Sequence, residues 1–281
     1  MAAEWFAARE APNVILAESD SGMALIPAVR REREVGLIGE TLFDYRDVLS
    51  SGAPEVLAAA WRELAKLGLP LEVTALRGDT VRQRWERFEA APFCNAPMIR
   101  RDRISGGQFA REHRKSAKAS RRLARQGVRL TRSPAGEAEA ARWIYRHKSE
   151  WRGSSANLFI DRQRQNFMLN IRHSGVSHWE IWRYVDINSR ILAALVTLDS
   201  HSCRHFYTIH HDAGWERFSP GQVLIFDVAR ESLAEGLDVD FMTGEYPYKN
   251  RLANEQVPLY RVRASAEQMS GSEAVAMRPA A

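Results

Sequence analysis

Cysteine is almost missing from this 281-residue chain: Cys94 and Cys203 are the whole complement, at neither metal nor redox spacing. A disulfide framework is therefore not expected. No apolar run approaches the roughly 18 residues that a membrane span needs. The first residues also lack the basic-then-apolar order of a secretory leader, so the expected compartment is the cytoplasm. G-x-S-x-G, Walker and Rossmann patterns are absent, and no activated Ser or Cys nucleophile is evident. Acidic residues are scarce in one stretch. Between Arg100 and Arg132, twelve Lys/Arg face only Asp102 and Glu112, a local excess of +10 in a chain whose net charge is +5. One region is basic and the protein as a whole is not, which favours a local anion site over general coating of nucleic acid.

What is present suits a globular protein with a sizeable core: 45% hydrophobic and 27% charged residues. The length suggests about two domains. Short apolar runs separated by turn residues predict a strand meander over 14–38, with a hairpin turn at Ser19–Gly22. A helix over 53–66, a strand over 69–75, a short helix over 80–90 and a strand over 93–99 follow. The spacing then predicts a single amphipathic helix over 107–125, with Arg111, Arg114, Lys115, Lys118, Arg121, Arg122 and Arg125 on one side. Ser133-Pro-Ala-Gly136 is the expected domain boundary. Helices over 137–151 and 161–173, and strands over 177–185, 190–198 and 204–210, repeat the earlier order. The fold class is therefore α/β with mixed sheets, in two successive units over 1–132 and 133–263, the helix over 107–125 being the counterpart of one starting at Pro220. A small, polar tail over 264–281 is expected to be disordered.

The chain is organised around Phe218–Leu252. Ser219 reads as an N-cap, Pro220 sits where a missing N–H costs nothing, and Gly236 ends the helix. A strand over 237–241 leads into a polar, aromatic loop over 243–251. Amides of Gly221, Gln222 and Val223 at such a helix start suit a pyrophosphate, although the bland reading is a well-capped surface helix. A Glu and a Tyr in one cleft, Glu245 and Tyr248, suit the base and the acid of acyl transfer to an amine. The bland alternative is that this loop anchors the last strand. Asp240 reads as a buried carboxylate directed at the site, and His210 as a further candidate base.

S-P-G-x-x-L at a helix start, then G-L-x-x-x-D-F, then G-E-x-P-Y-K-x-R resembles the CelD-like acyltransferases of the GNAT superfamily, which are related to the FemAB aminoacyltransferases. The likeness extends back through Arg190–Leu195, Asn157–Asp161, the Lys115–Gly127 helix and Phe43-Asp-Tyr-Arg-Asp47, roughly Trp5 to Arg263. It implies tandem GNAT-like units in a FemAB-like arrangement, with acyl-CoA as co-substrate. It centres on Tyr248-Lys249, which makes Lys249 the leading site residue, able to hold a carboxylate or phosphate. Arg251, Asp44 and Tyr45 join it as substrate contacts.

The stripe of Arg114, Lys118, Arg121 and Arg122 is either a solvated face or the seat of an anionic partner: the nucleotide end of CoA, an acyl carrier protein, tRNA or a membrane surface. Three functions are thus in view: a CoA-dependent acyltransferase acting on an amine or a hydroxyl, a tRNA-dependent aminoacyltransferase and a non-catalytic binder of phosphate ligands. Asp199, His201, Cys203 and His205 would share a face on one strand and make a zinc set. Asp199-Ser-His-Ser202 reads as a turn, however, so no metal is expected.

Overall fold

The computed structural model describes residues 11–40, 44–134, 138–150, 162–171, 178–200, 202–244 and 246–271. In chain order the first elements are β1 (Ala11–Ser19), β2 (Gly22–Arg30), β3 (Val35–Leu37), β4 (Leu49–Gly52), α1 (Pro54–Ala65), β5 (Leu71–Arg77), α2 (Gly78–Arg84) and β6 (Ala90–Ile99). Then come α3 (Gly106–Glu112), α4 (Arg114–Arg125), β7 (Arg129–Pro134), α5 (Ala138–Glu150), α6 (Arg162–Ile171), β8 (His178–Val185), β9 (Ile191–Ser200) and β10 (Cys203–His211). A 3-10 turn over Ala213–Phe218 leads into α7 (Pro220–Ala234), β11 (Asp238–Asp240), α8 (Pro247–Leu252), β12 (Glu255–Ala264) and α9 (Ala266–Ser270). No helix among the described residues is long and apolar enough to cross a membrane.

Two compact units emerge, one of residues 1–95 with 258–281 and one of 96–257. The expected boundary near Ser133 is corrected by this division. Ser133 is buried inside β7, where it pairs with Ile181 of β8. Ser-Pro-Gly composition reads as a linker, but a strand whose partners lie further along the chain cannot be one. The expected disordered tail is corrected in part as well, because Ser265 closes a capping box on α9 and Met269 is fully buried.

In the first unit β1 and β2 form a hairpin closed between Ser19 and Gly22, as the turn chemistry implies. Alternation buries Ala24, Ile26 and Ala28 of β2 on one face. Gly22 meets Gly52 of β4 across the ladder, and a Cβ on Gly22 would lie 1.9 Å from the Ser51 carbonyl oxygen, so only glycine fits. The chain enters α1 through an extended Ala53, with Pro54 in its first turn. Val56, Leu57, Ala60, Trp61 and Leu64 form its buried stripe. Trp61 packs 5.0 Å from Trp85 and edge-on to Phe88 at 5.1 Å.

In the second unit β7, β8, β9 and β10 run antiparallel in that order, and β11 pairs parallel to β10 and antiparallel to β6. Helix α7 is the crossover between the two parallel strands. Leu224, Phe226, Val228 and Ala229 of α7 are wholly buried, because α3 and α4 cover the side that the sheet does not. The expected single helix over 107–125 is interrupted at His113, whose backbone leaves the helical region (φ −98°, ψ 48°). No Gly or Pro marks this break; the packing does. Phe109 stacks on Phe226 at 5.4 Å, and Gly106 lies where a Cβ would come within 2.9 Å of the Arg230 carbonyl oxygen. These helices belong to the same unit as α7 and pack against it, so the helix over 107–125 is not the other unit's counterpart of α7.

Trp61→Ala removes the centre of the first unit's aromatic cluster and is expected to destabilise that unit by about 3–5 kcal/mol. A denaturation midpoint unchanged from the parent would refute this placement of the core.

Candidate active site

The two parallel strands stay together only briefly. Cys203, Arg204 and His205 of β10 pair with Asp238, Val239 and Asp240, where β11 stops. Strand β10 runs on for six residues to His211, still paired to β9 on its other side. Tyr207 is the extra residue of a bulge between Phe206 and Thr208. Among the described residues, β10 thus has no strand on its β11 side from Phe206 to His211. Parallel β-α-β units open toward ligands at the carboxyl ends of their strands, and α7 begins at that end.

The first turn of α7 differs from the sequence expectation in two ways. Ser219 does not cap with its hydroxyl. It adopts the left-handed conformation (φ 49°, ψ 50°), because its N–H already closes the preceding 3-10 turn on Glu216. Its carbonyl accepts the Val223 N–H at 3.1 Å, so Val223 has no amide left for a ligand. Gly221 and Gln222 carry the amides that precede this first intrahelical bond. Gly221 lies against the His211 ring, 3.1 Å from Nδ1 to where a Cβ would stand. Met242, on the segment after β11, is also left-handed (φ 58°). Two strained non-glycine residues thus flank the opening.

Cations gather at this turn. Arg122 of α4 lies over the Phe218 ring at 4.8 Å, and Arg217 over it at 4.7 Å. Helix α4 runs antiparallel to α7, with Ser120 Oγ donating to Asp227 at 2.7 Å, so its last turn reaches the start of α7. Arg114, Lys115, Lys118, Arg121, Arg122 and Arg125 are all exposed, and none forms an ion pair among the described residues. Asp227 also accepts from Tyr184 Oη, and burial together with that carboxylate pushes the Tyr184 phenol far above its usual range.

Segment 243–251 is not all loop, since α8 occupies part of it. Lys249 is buried; its ammonium donates to the Thr243 carbonyl and lies 5.4 Å from the centre of the Tyr246 ring. The side chain therefore closes the turn through Gly244. Tyr248 is half-buried, packs on the same apolar cluster as Ile209 and Phe218, and has its phenol pushed up to about 12 by burial and by Tyr246. It keeps its proton at neutral pH. Arg251 is exposed on α8. Glu245 lies outside the described residues, as do His201 and the 157–161 segment.

Asp240 is fully buried, with Oδ1 accepting the Met242 N–H at 2.7 Å and Oδ2 lying 3.3 Å from His205 Nδ1. It shapes the left-handed turn rather than lining open space. Asp199 binds the wholly buried Arg204 guanidinium, its nearest approach being 2.6 Å. Asp44 and Tyr45 belong to the other unit, where Arg77 lies over the Tyr45 ring at 5.6 Å.

His210 sits in an aromatic group that sequence reading missed. Its ring is 5.6 Å from Trp143, 5.4 Å from His147 and 6.0 Å from His211. Trp143 and His147 are four residues apart on α5, a spacing that places them on one face, but nothing in the sequence points that face at β10. Burial, together with His147 and His211, holds His210 near pKa 4.

The model of the acetyltransferase (GNAT) domain family matches residues 110–250, half of the chain. The chain belongs to that family. No curated protein matches it. Among solved structures it is similar to the C-terminal domain of a lysylphosphatidylglycerol synthetase from Agrobacterium fabrum, at 9% identity and TM-score 0.64, covering 93% of this chain and 86% of that one. It is similar to L-PGS from Bacillus licheniformis at 8% identity and TM-score 0.62, covering 89% and 83%. FemX matches at 9% identity and TM-score 0.58, over 92% of this chain and 90% of FemX. Such identities speak for the fold alone: the GNAT chain has the mixed α/β, FemAB-like architecture expected from its sequence. Family membership supports acyl transfer in general.

Because His210 has a lower pKa folded than unfolded, the unfolded state binds more protons between the two values. Its contribution to stability is complete above about pH 6.5 and is lost as pH falls toward about 4. His210→Gln should flatten the pH dependence of the melting temperature in that window. An unaltered slope would show that His210 is solvated.

Proposed function

We propose that this GNAT protein moves an acyl group from a CoA-type thioester to an amine, the donor's phosphates lying on the first turn of α7. The observation that carries this reading is the convergence of Arg122, Arg217 and the Gly221 and Gln222 amides at one helix N-terminus. An anion there meets the positive end of the helix dipole and two guanidiniums together. The unaccompanied stretch of β10 supplies backbone groups along which an extended, amide-bearing arm can pair. In the transfer, the amine lone pair attacks the thioester carbonyl, the C–S bond breaks, and Tyr248 gives its phenolic proton to the departing sulfur. Neutral His210 is a weak base, suited to taking a proton from the strongly acidic cationic adduct rather than from a free ammonium ion. Lys249 acts by holding the turn that carries Tyr248. No covalent acyl-enzyme is required.

A second reading has charged tRNA or an acyl carrier protein as the donor. The row of unpaired cations on α4 favours it, since such a row tracks a phosphate backbone or an acidic helix. The narrower likeness to CelD-like proteins, in Ser219–Leu224 and Tyr248–Arg251, points to envelope or polysaccharide synthesis.

Calorimetry separates these readings. Replacing both Arg122 and Arg217 by Ala should weaken CoA binding about 10- to 100-fold, on the scale of one or two charge-assisted contacts. Pantetheine, which lacks the phosphates, should bind as before. Unchanged CoA affinity in the folded variant would remove the cradle, and binding of charged tRNA in place of CoA would favour the second reading. Tyr248→Phe should lower turnover roughly 10²- to 10⁴-fold with little change in CoA affinity. Full turnover in that variant would exclude Tyr248 as the acid.

A further inference from the structure

We infer that Cys203, His205 and Asp240 form a binding site for a thiophilic divalent cation of the zinc type. Cys203 and His205 alternate along β10 and so point to one side of the sheet, opposite Arg204, which donates to Ser232 of α7 at 3.2 Å. The register between β10 and β11 places Asp240 directly beside His205. One ligating atom from each of the three residues lies within 4.8 Å of the other two. The sequence shows the Cys-x-His part of this set, but only the pairing of parallel strands adds the carboxylate.

The hydrogen bonds around His205 point the same way. Ser200 Oγ donates its proton to the Cys203 carbonyl at 3.2 Å and lies 3.2 Å from His205 Nε2. Where that oxygen accepts from Nε2–H, the ring presents its Nδ1 lone pair to an ion. Nδ1 faces Asp240 Oδ2 at 3.3 Å, and that carboxylate is fully buried. The 3.3 Å separation equals the edge of a tetrahedral site with metal–ligand bonds of about 2.0 Å. Cys203 then supplies a thiolate, giving up its proton to solvent on binding. Three protein ligands leave the fourth position of a tetrahedral ion to a small ligand such as water. Ser200 is the outer-shell partner that fixes the imidazole. The site lies at the last paired residues of β10 and β11, so an ion there ties the strands together where they begin to part. A direct His205–Asp240 pair without an ion is the competing state.

The full-length, untagged protein in a Cys94→Ser background tests the site, since Cys203 is then the only thiol. Cobalt(II) should give a thiolate-to-metal charge-transfer band together with the visible bands of a tetrahedral ion, saturating at one equivalent and displaced by zinc. Cys203→Ser should abolish the charge-transfer band. His205→Gln should weaken zinc binding at least as much as loss of an outer-shell group, roughly 10- to 100-fold, and Ser200→Ala should weaken it about 10-fold. Because Asp240→Asn also touches the Met242 turn, the serine and histidine variants keep the test decisive if that protein fails to fold. Absence of the band at equimolar metal, its persistence in Cys203→Ser, or zinc binding only at millimolar concentration would overturn the site in favour of the ion-free pair.

Discussion

Burial of the middle of α7 on every side, from Val223 to Ala229, is the constraint on which the second unit rests. A helix that joins two parallel strands must lie on the sheet. Here α3 and α4 then close over its outer face, so that Phe226 stacks on Phe109 while Leu224 and Val228 are wholly buried. Close approach explains the small residues at the contact: Gly106 against the Arg230 carbonyl, and Ser120 against Asp227. The same packing brings the last turn of a strongly basic helix to the first turn of α7. The anion site follows from how the core is covered, not from a dedicated phosphate loop.

Charge in this unit divides by burial. Arg204 has no exposed surface, and three acids meet it: Asp199 at 2.6 Å, Glu235 at 3.0 Å and Glu180 at 3.1 Å, with Trp182 beneath it at 5.1 Å. Removing any one partner of a buried set leaves charge uncompensated, so this cluster is structural. The cations of α4 are the reverse case. They are exposed and form no ion pair among the described residues, so their field extends into solvent, where it acts on whatever anion approaches.

Strain and opening coincide at the ends of the parallel strands. Strand β11 stops at Asp240, the chain turns through a left-handed Met242, and Lys249 secures the next turn by reaching back to Thr243. A lysine that reads in sequence as a substrate anchor thus works first on its own loop. Tyr248, its neighbour, keeps its proton because it is largely buried and is packed beside another phenol.

The sequence by itself determined the α/β class, most element positions, the hairpin at Ser19–Gly22, the cationic stripe and the helix-plus-strand unit around Ser219–Asp240. These depend on periodicity and turn chemistry within a few residues, and such local rules are legible without partners. Tertiary structure alone decided the rest. The break at His113, the division at 95/96 and 257/258, and the strand identity of Ser133 all arise from contacts with distant segments. The first turn of α7 is capped by the Ser219 carbonyl because a 3-10 turn arrives from the preceding chain. Trp143 and His147 come to surround His210, and Asp240 joins Cys203 and His205, through sheet register and helix packing. Spacing along a chain states which residues share a face of one element. Which element that face meets is settled only when the buried surfaces of the whole unit are satisfied together.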